Sequence, residues 1–143
     1  MTDHKVDWSK VRHFTQDEFD DPLYPGSGKL MNYKVVYGLD NLREMTQSPI
    51  IVTASVDVYG EHGHSGNSYH LARNKCRAVD FYIKSSLTPR EQYAQVEKLG
   101  FGGIGVYYCW GVPIAFHVDD RPYIKIQRWV SRIKGEYEYL LGR

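Results

Sequence analysis

The feature that most restricts the fold is a pair of strand-like runs separated by one short turn. Gly102 to Tyr108 and Val112 to Asp119 both read as strands, with only Cys109-Trp110-Gly111 between them. Strands joined so briefly lie antiparallel, because a parallel partner needs a crossover of about a dozen residues or more. A sheet is therefore required, and its other members are sought upstream. Arg77 to Ile83 alternates well enough for a strand, and Ile50-Ile51-Val52-Thr53-Ala54 after Pro49 reads as a buried one. Two helices accompany them. Val36, Leu39, Leu42 and Met45 recur along Tyr33 to Met45, and Thr88-Pro89-Arg90-Glu91 supplies cap, first-turn proline and third-position glutamate. Tyr93, Val96 and Leu99 give the second helix its apolar face, and Gly100 closes it.

The remaining segments are read from caps and breakers. Thr15 with Glu18 forms a capping box for a short helix, while Asp21 to Lys29 and Tyr59 to Asn67 are loops. The tail carries Ile124, Ile126, Trp129, Val130 and Ile133 and is expected to finish as a helix. The sum is one α+β domain over residues 1–143, a central antiparallel sheet with helices packed on one side.

Composition narrows the function. A net charge of +1 offers no electrostatic grip on nucleic acid or anionic lipid, and no apolar run approaches a membrane span. Apolar residues at 42% give 143 residues enough to form a core without staples, so Cys76 and Cys109 are expected to stay thiols. The chain is expected to be a monomer. Met1-Thr2-Asp3-His4-Lys5 lacks the order of a secretory signal, so synthesis in a cytoplasm is expected.

Three residues stand out as metal ligands: His70 in Ser68-Tyr69-His70, Asp80 in Arg77-Ala78-Val79-Asp80-Phe81, and His117 in Ala115-Phe116-His117-Val118-Asp119. Two imidazoles and one carboxylate leave a fourth position of a tetrahedral zinc open, the composition of a catalytic site. Strand alternation puts Ala78, Asp80 and Tyr82 on one face, and likewise Ala115, His117 and Asp119. Small Ala78 and Ala115 would leave room beside the metal. Spacing alone leaves a second reading open: a loop histidine, a capping carboxylate and a satisfied core histidine.

The motifs bear on that choice. Ser68-Tyr69-His70, then Ala78-Val79-Asp80, then Phe101-Gly102-Gly103-Ile104-Gly105-Val106-Tyr107 leading to Phe116-His117-Val118-Asp119, resemble the zinc D-Ala-D-Ala carboxypeptidase family. Its superfamily includes lysostaphin-type enzymes and the hedgehog signalling domain, and the likeness is closest to short bacterial and phage cell-wall peptidases. Upstream order agrees: Phe14-Thr15-Gln16-Asp17-Glu18-Phe19, then Leu39-Asp40-Asn41-Leu42-Arg43, then Ile51-Val52-Thr53-Ala54.

The resemblance implies a hedgehog-like or DD-peptidase-like fold, with Zn²⁺ held by His70, Asp80 and His117 and activated water cutting peptidoglycan peptides. A phage lysin of this type would act on the wall after release. A general base must take the water proton. Asp119, two residues beyond His117 on the same strand face, is preferred over a histidine from the Glu61–His64 loop. Asp120 is expected to face away, as a solvated charge or an ion-pair partner for Arg121. Ser68, Arg73 and Arg121 are candidates for contact with substrate. The chain departs from the family in a longer His70-to-Asp80 spacer and in Asp57, which stands where relatives carry a substrate-gripping arginine. A non-catalytic, zinc-bearing module binding peptidoglycan or a protein is the alternative.

Overall fold

The computed structural model describes residues 4–141. Helix α1 spans Tyr33–Thr46 and α2 Pro89–Glu97. The strands are β1 (Ile50–Ala54), β2 (Ala78–Ile83), β3 (Gly103–Tyr107), β4 (Ala115–Asp119), β5 (Gln127–Ser131) and β6 (Glu138–Leu141). They form one open sheet in the order β1-β2-β4-β3-β5-β6.

Local sequence accounts for the helices. Asn32 caps α1 by accepting from the Lys34 amide at 2.9 Å. Thr88 and Glu91 exchange hydrogen bonds at the start of α2, with Pro89 in its first turn. On α1 the buried apolar residues are Val35, Val36, Leu39 and Leu42, while Met45 is 42% exposed. A three-residue repeat lags the 3.6-residue helical turn, so by Met45 the series has rotated off the core face. The Thr15–Glu18 box also forms, with the Thr15 amide donating to Glu18 at 2.7 Å, but it starts only a single 3-10 turn, Gln16–Phe19.

Both helices contribute to one face of the sheet. Val35, Val36, Leu39 and Leu42 of α1 and Val96 of α2 share a core with Val79, Phe81, Ile104, Val106, Phe116 and Val118 of the central strands. The facing rows follow from period-two alternation, so the residues between them point to the opposite side. Ala54, Asp80, His117, Gly105 and Trp129 pair in register across five strands and form a single row there.

Three expectations are corrected. The tail is not helical: Gln127-Arg128-Trp129-Val130-Ser131 adds to the sheet as β5, and β6 returns antiparallel to it. Its aromatic and β-branched residues suit a strand, and Ile124 and Ile133, counted toward a helical face, are 90% and 59% exposed. Because β5 pairs parallel with β3 while the other neighbours are antiparallel, the sheet is mixed rather than antiparallel. The expected buried strand β1 is an edge strand, with Ile51 and Thr53 exposed. Among the described residues no helix is long and apolar enough to cross a membrane.

Candidate metal centre

Antiparallel pairing sets Asp80 of β2 directly against His117 of β4. Their side chains meet, with His117 Nδ1 2.8 Å from Asp80 Oδ1. His70 arrives from the loop before β2, its Nε2 3.3 Å from the same oxygen. The loop is held by main-chain bonds around Asp57, whose amide donates to the His70 carbonyl and whose carbonyl accepts from the Ala72 amide. The longer spacer is taken up by a 3-10 turn at Ala72–Asn74 and left-handed backbone at Lys75 and Cys76, so His70 still reaches the strand pair. One ligand atom from each of the three residues lies within 4.8 Å of the others.

The remaining ring nitrogens determine how each imidazole presents itself. His70 Nδ1 is 2.8 Å from the Ser55 carbonyl oxygen, which only accepts, so Nδ1 carries the proton and Nε2 offers a lone pair. His117 Nε2 is 2.7 Å from Asp119 Oδ2 and donates to it, which leaves Nδ1 as the ligating atom. Asp119 is fully buried and also accepts two 2.7 Å bonds from Arg121, through Nε to Oδ1 and through Nη2 to Oδ2. Carboxylate or carbonyl support behind a histidine is the usual outer shell of a zinc site. A donor set of two imidazole nitrogens and one carboxylate oxygen, with both imidazoles oriented inward, suits zinc.

The cluster of His70, Asp80 and His117 is charged. Burial would lower His117, but hydrogen bonds to Asp119 and Asp80 outweigh it and push the imidazole up to about 9. Burial would raise Asp80, yet the charges of His70 and His117 hold it far below the usual carboxylate range. A histidine raised from 6.5 to about 9 stabilises the fold fully below pH 6.5, and loses that contribution as pH climbs through 9. At ~1.4 kcal/mol per tenfold change in proton affinity this is on the order of 3 kcal/mol. Chelator-treated protein is therefore expected to melt at progressively lower temperature from pH 6.5 to 9.5, with the loss absent in His117→Gln. A flat profile in the wild-type protein would contradict the ion pair.

Two glycines clear the space these groups need. A Cβ on Gly103 would lie 2.3 Å from Asp119 Oδ1, and one on Gly105 would lie 2.4 Å from Trp129 Nε1. Trp129 thereby crosses β3, donates to Tyr107 Oη at 2.8 Å and places its ring 5.4 Å from that of His117. Gly105→Ala is expected to displace the indole and cost about 1–3 kcal/mol by overpacking. Chemical denaturation followed by tryptophan emission checks both effects.

The glycine- and histidine-rich loop is tied down rather than free. His62 Nε2 is 2.7 Å from the fully buried Asp21, and His64 Nδ1 is 2.8 Å from the buried Asp57. The His64 ring stacks on His70 with centroids 4.5 Å apart and planes within 9°. Asp57 Oδ1 also accepts from the Gly60 and Glu61 amides. Burial would raise Asp57, but the His64 bond and the Gly60 amide bring it below its ordinary value. The sequence showed the two histidines and the aspartate in the arginine's place, but gave no sign that Asp57 and His64 form a pair.

The other candidates divide. Ser68 Oγ accepts from the His70 amide, a loop-bracing role. Arg121 borders the groove above His70, Asp80 and His117, whereas Arg73 is exposed and closes on the Gly66 carbonyl. Asp120 contacts Arg77 and Lys34, so of the two expected roles it is an ion-pair partner, but of these cations instead of Arg121. Cys76 and Cys109 are both free thiols. Cys76 lies in the helix-side core, where burial pushes it up to about 12, which removes it as a nucleophile.

The groove over the three candidate ligands has a volume of about 630 Å³ and an aromatic wall that includes Tyr107, Trp110, Trp129 and Tyr137. Comparison with protein-family models, curated proteins and solved structures found no match to this chain.

Proposed function

We propose that this protein is a zinc-dependent peptidase acting on the peptides of bacterial cell walls, with the hedgehog-like or DD-peptidase-like fold that its motifs resemble. The observation that carries the zinc reading is the pair of oriented imidazoles. His70 and His117 each spend one nitrogen on a fixed acceptor and turn the other toward Asp80. The open groove above them and the motif resemblance support an enzyme and its substrate class.

His70, Asp80 and His117 would hold the ion, which when bound polarises a scissile carbonyl and lowers the pKa of water to ~7. The chain's own residues do the rest. Asp119, with both oxygens engaged, is assigned to holding His117 in its ligating tautomer rather than to proton transfer. His64 is assigned the proton-transfer role. Its Nδ1 proton is fixed by Asp57, and its Nε2 has no hydrogen bond among the described residues. The amide C–N bond breaks, the water oxygen bonds to the carbonyl carbon, and His64 Nε2 passes the water proton to the leaving nitrogen. Trp129 and Tyr107 cover the sheet beside His117 and exclude solvent from that side.

The test is digestion of purified peptidoglycan by zinc-loaded protein, with and without chelator, reading released peptides by mass spectrometry. Zinc-dependent release supports the peptidase. No release by folded, zinc-loaded protein would leave the binding module as the better reading.

A further inference from the structure

An open pocket of about 250 Å³ lies apart from the groove and shares none of its described lining residues. Three cations border it: Lys34 in the first turn of α1, Lys75 at the end of the Ala72–Asn74 turn, and Arg77 immediately before β2. Asp120, just past β4, is the only anion among the described lining residues. Three cations against one anion leave an excess of two positive charges in a chain whose net charge is only +1. Asn32, the cap of α1, lines the same pocket, so the positive end of that 14-residue helix borders it too.

Arg77 is the unusual member. Its side chain is 26% exposed, and its Nε is buried with no hydrogen-bond partner among the described residues. Arg77 Nη2 and Lys34 Nζ stand 3.7 and 4.0 Å from Asp120 Oδ2, beyond hydrogen-bond reach. By contrast, the guanidiniums of Arg121 and Arg128 donate to carboxylate, amide and carbonyl oxygens. A buried donor left unpaired costs more than a made bond contributes, so Arg77 is set for an acceptor from outside the chain.

We propose that this pocket binds a doubly charged phosphate group, inorganic or a terminal monoester. A dianion matches the excess of two charges, which a single carboxylate does not. Phosphate also presents enough oxygens to accept from Lys34, Lys75 and Arg77 together, whereas a carboxylate has two. The guanidiniums of Arg77 and Arg121 lie 5.4 and 5.3 Å from the centre of the Tyr69 ring, so this pocket adjoins the groove through one aromatic side chain.

Isothermal titration calorimetry of the chelator-treated, full-length chain tests the site, because a zinc ion would itself attract phosphate. At about pH 8 a phosphate monoester, with a second pKa near 6, is a dianion. Inorganic phosphate and glycerol 3-phosphate are expected to bind one per chain with a Kd of about 1 mM or below, and acetate at least tenfold more weakly. Arg77→Gln and Lys75→Asn should each weaken binding about tenfold; asparagine suits the left-handed backbone at Lys75, φ 73°. Asp120→Asn should tighten it about threefold by removing the competing anion. Arg90→Gln, an equal loss of charge outside the pocket, should change it less than twofold. The opposite signs of Lys75→Asn and Asp120→Asn decide the matter even if Arg77→Gln fails to fold. Binding of both phosphates assigns a monoester site, and binding of the inorganic ion alone assigns free phosphate. Absence of saturable binding, acetate as tight as phosphate, equal weakening by Arg90→Gln and Lys75→Asn, or weaker binding in Asp120→Asn would each overturn the proposal. So would attachment to phosphatidic acid vesicles without any response to the soluble phosphates.

Discussion

His117→Ala is expected to reduce bound zinc from one ion per chain to none in native mass spectrometry, and to abolish hydrolysis with it. The substitution removes a candidate ligand and takes one partner from each of two buried carboxylates, of which Asp119 keeps Arg121 and Asp80 keeps His70. Asp80 Oδ1 loses its 2.8 Å partner, and Asp119 Oδ2 its 2.7 Å one. Asp80→Asn should lose the ion for a different reason, since it keeps the shape but removes the only anionic ligand of the three. Asp119→Asn keeps all three ligands and disturbs only the support behind His117, so a weakening of about 10–100-fold in zinc affinity is expected. That order, with ligand changes worse than the support change, distinguishes a metal centre from a charge cluster. Full zinc occupancy in His117→Ala would sink the assignment.

His64→Ala should divide binding from chemistry. The residue stacks on His70 but is not among the ligating atoms, so zinc stoichiometry should remain one per chain. Turnover should fall by about 10²–10⁴, the usual contribution of a positioned acid–base group. Asp57→Asn should give a smaller loss, because it keeps the loop's shape but blurs the tautomer of His64. Its carboxylate also receives the Gly60 and Glu61 amides, so its melting temperature must be followed alongside. Unchanged kcat in a zinc-loaded His64→Ala protein would return the proton-transfer role to another group.

The parts of this fold that were legible in sequence are those governed by local rules. The Thr88 cap, the β3–β4 hairpin and the shared face of Asp80 and His117 depend on residues within one turn or on period-two alternation. The misread tail depends on something no local pattern contains. Gln127–Ser131 becomes a strand because the free edge of β3 is there to receive it, and Gly105 lets Trp129 lie over that strand. Helical and extended readings of its five apolar residues were equally compatible with composition. The three candidate ligands were singled out as a set in sequence, and they lie together in the fold. The Asp57–His64 pair was not, since its two members lie on opposite sides of a glycine-rich turn whose closure is set by buried carboxylates.

One arrangement in the sheet bears on how such a protein could diversify. The ion's three candidate donors all precede residue 118, while Trp129, Lys134, Tyr137 and Tyr139 along the groove come from the last two strands and the turn between them. The candidate donors and much of the groove's far wall thus reside in separate stretches of polypeptide. On the proposed reading, exchanging the terminal hairpin would alter that wall while leaving the candidate donors in place, so libraries confined to positions 132–141 are the direct way to vary what the groove accepts.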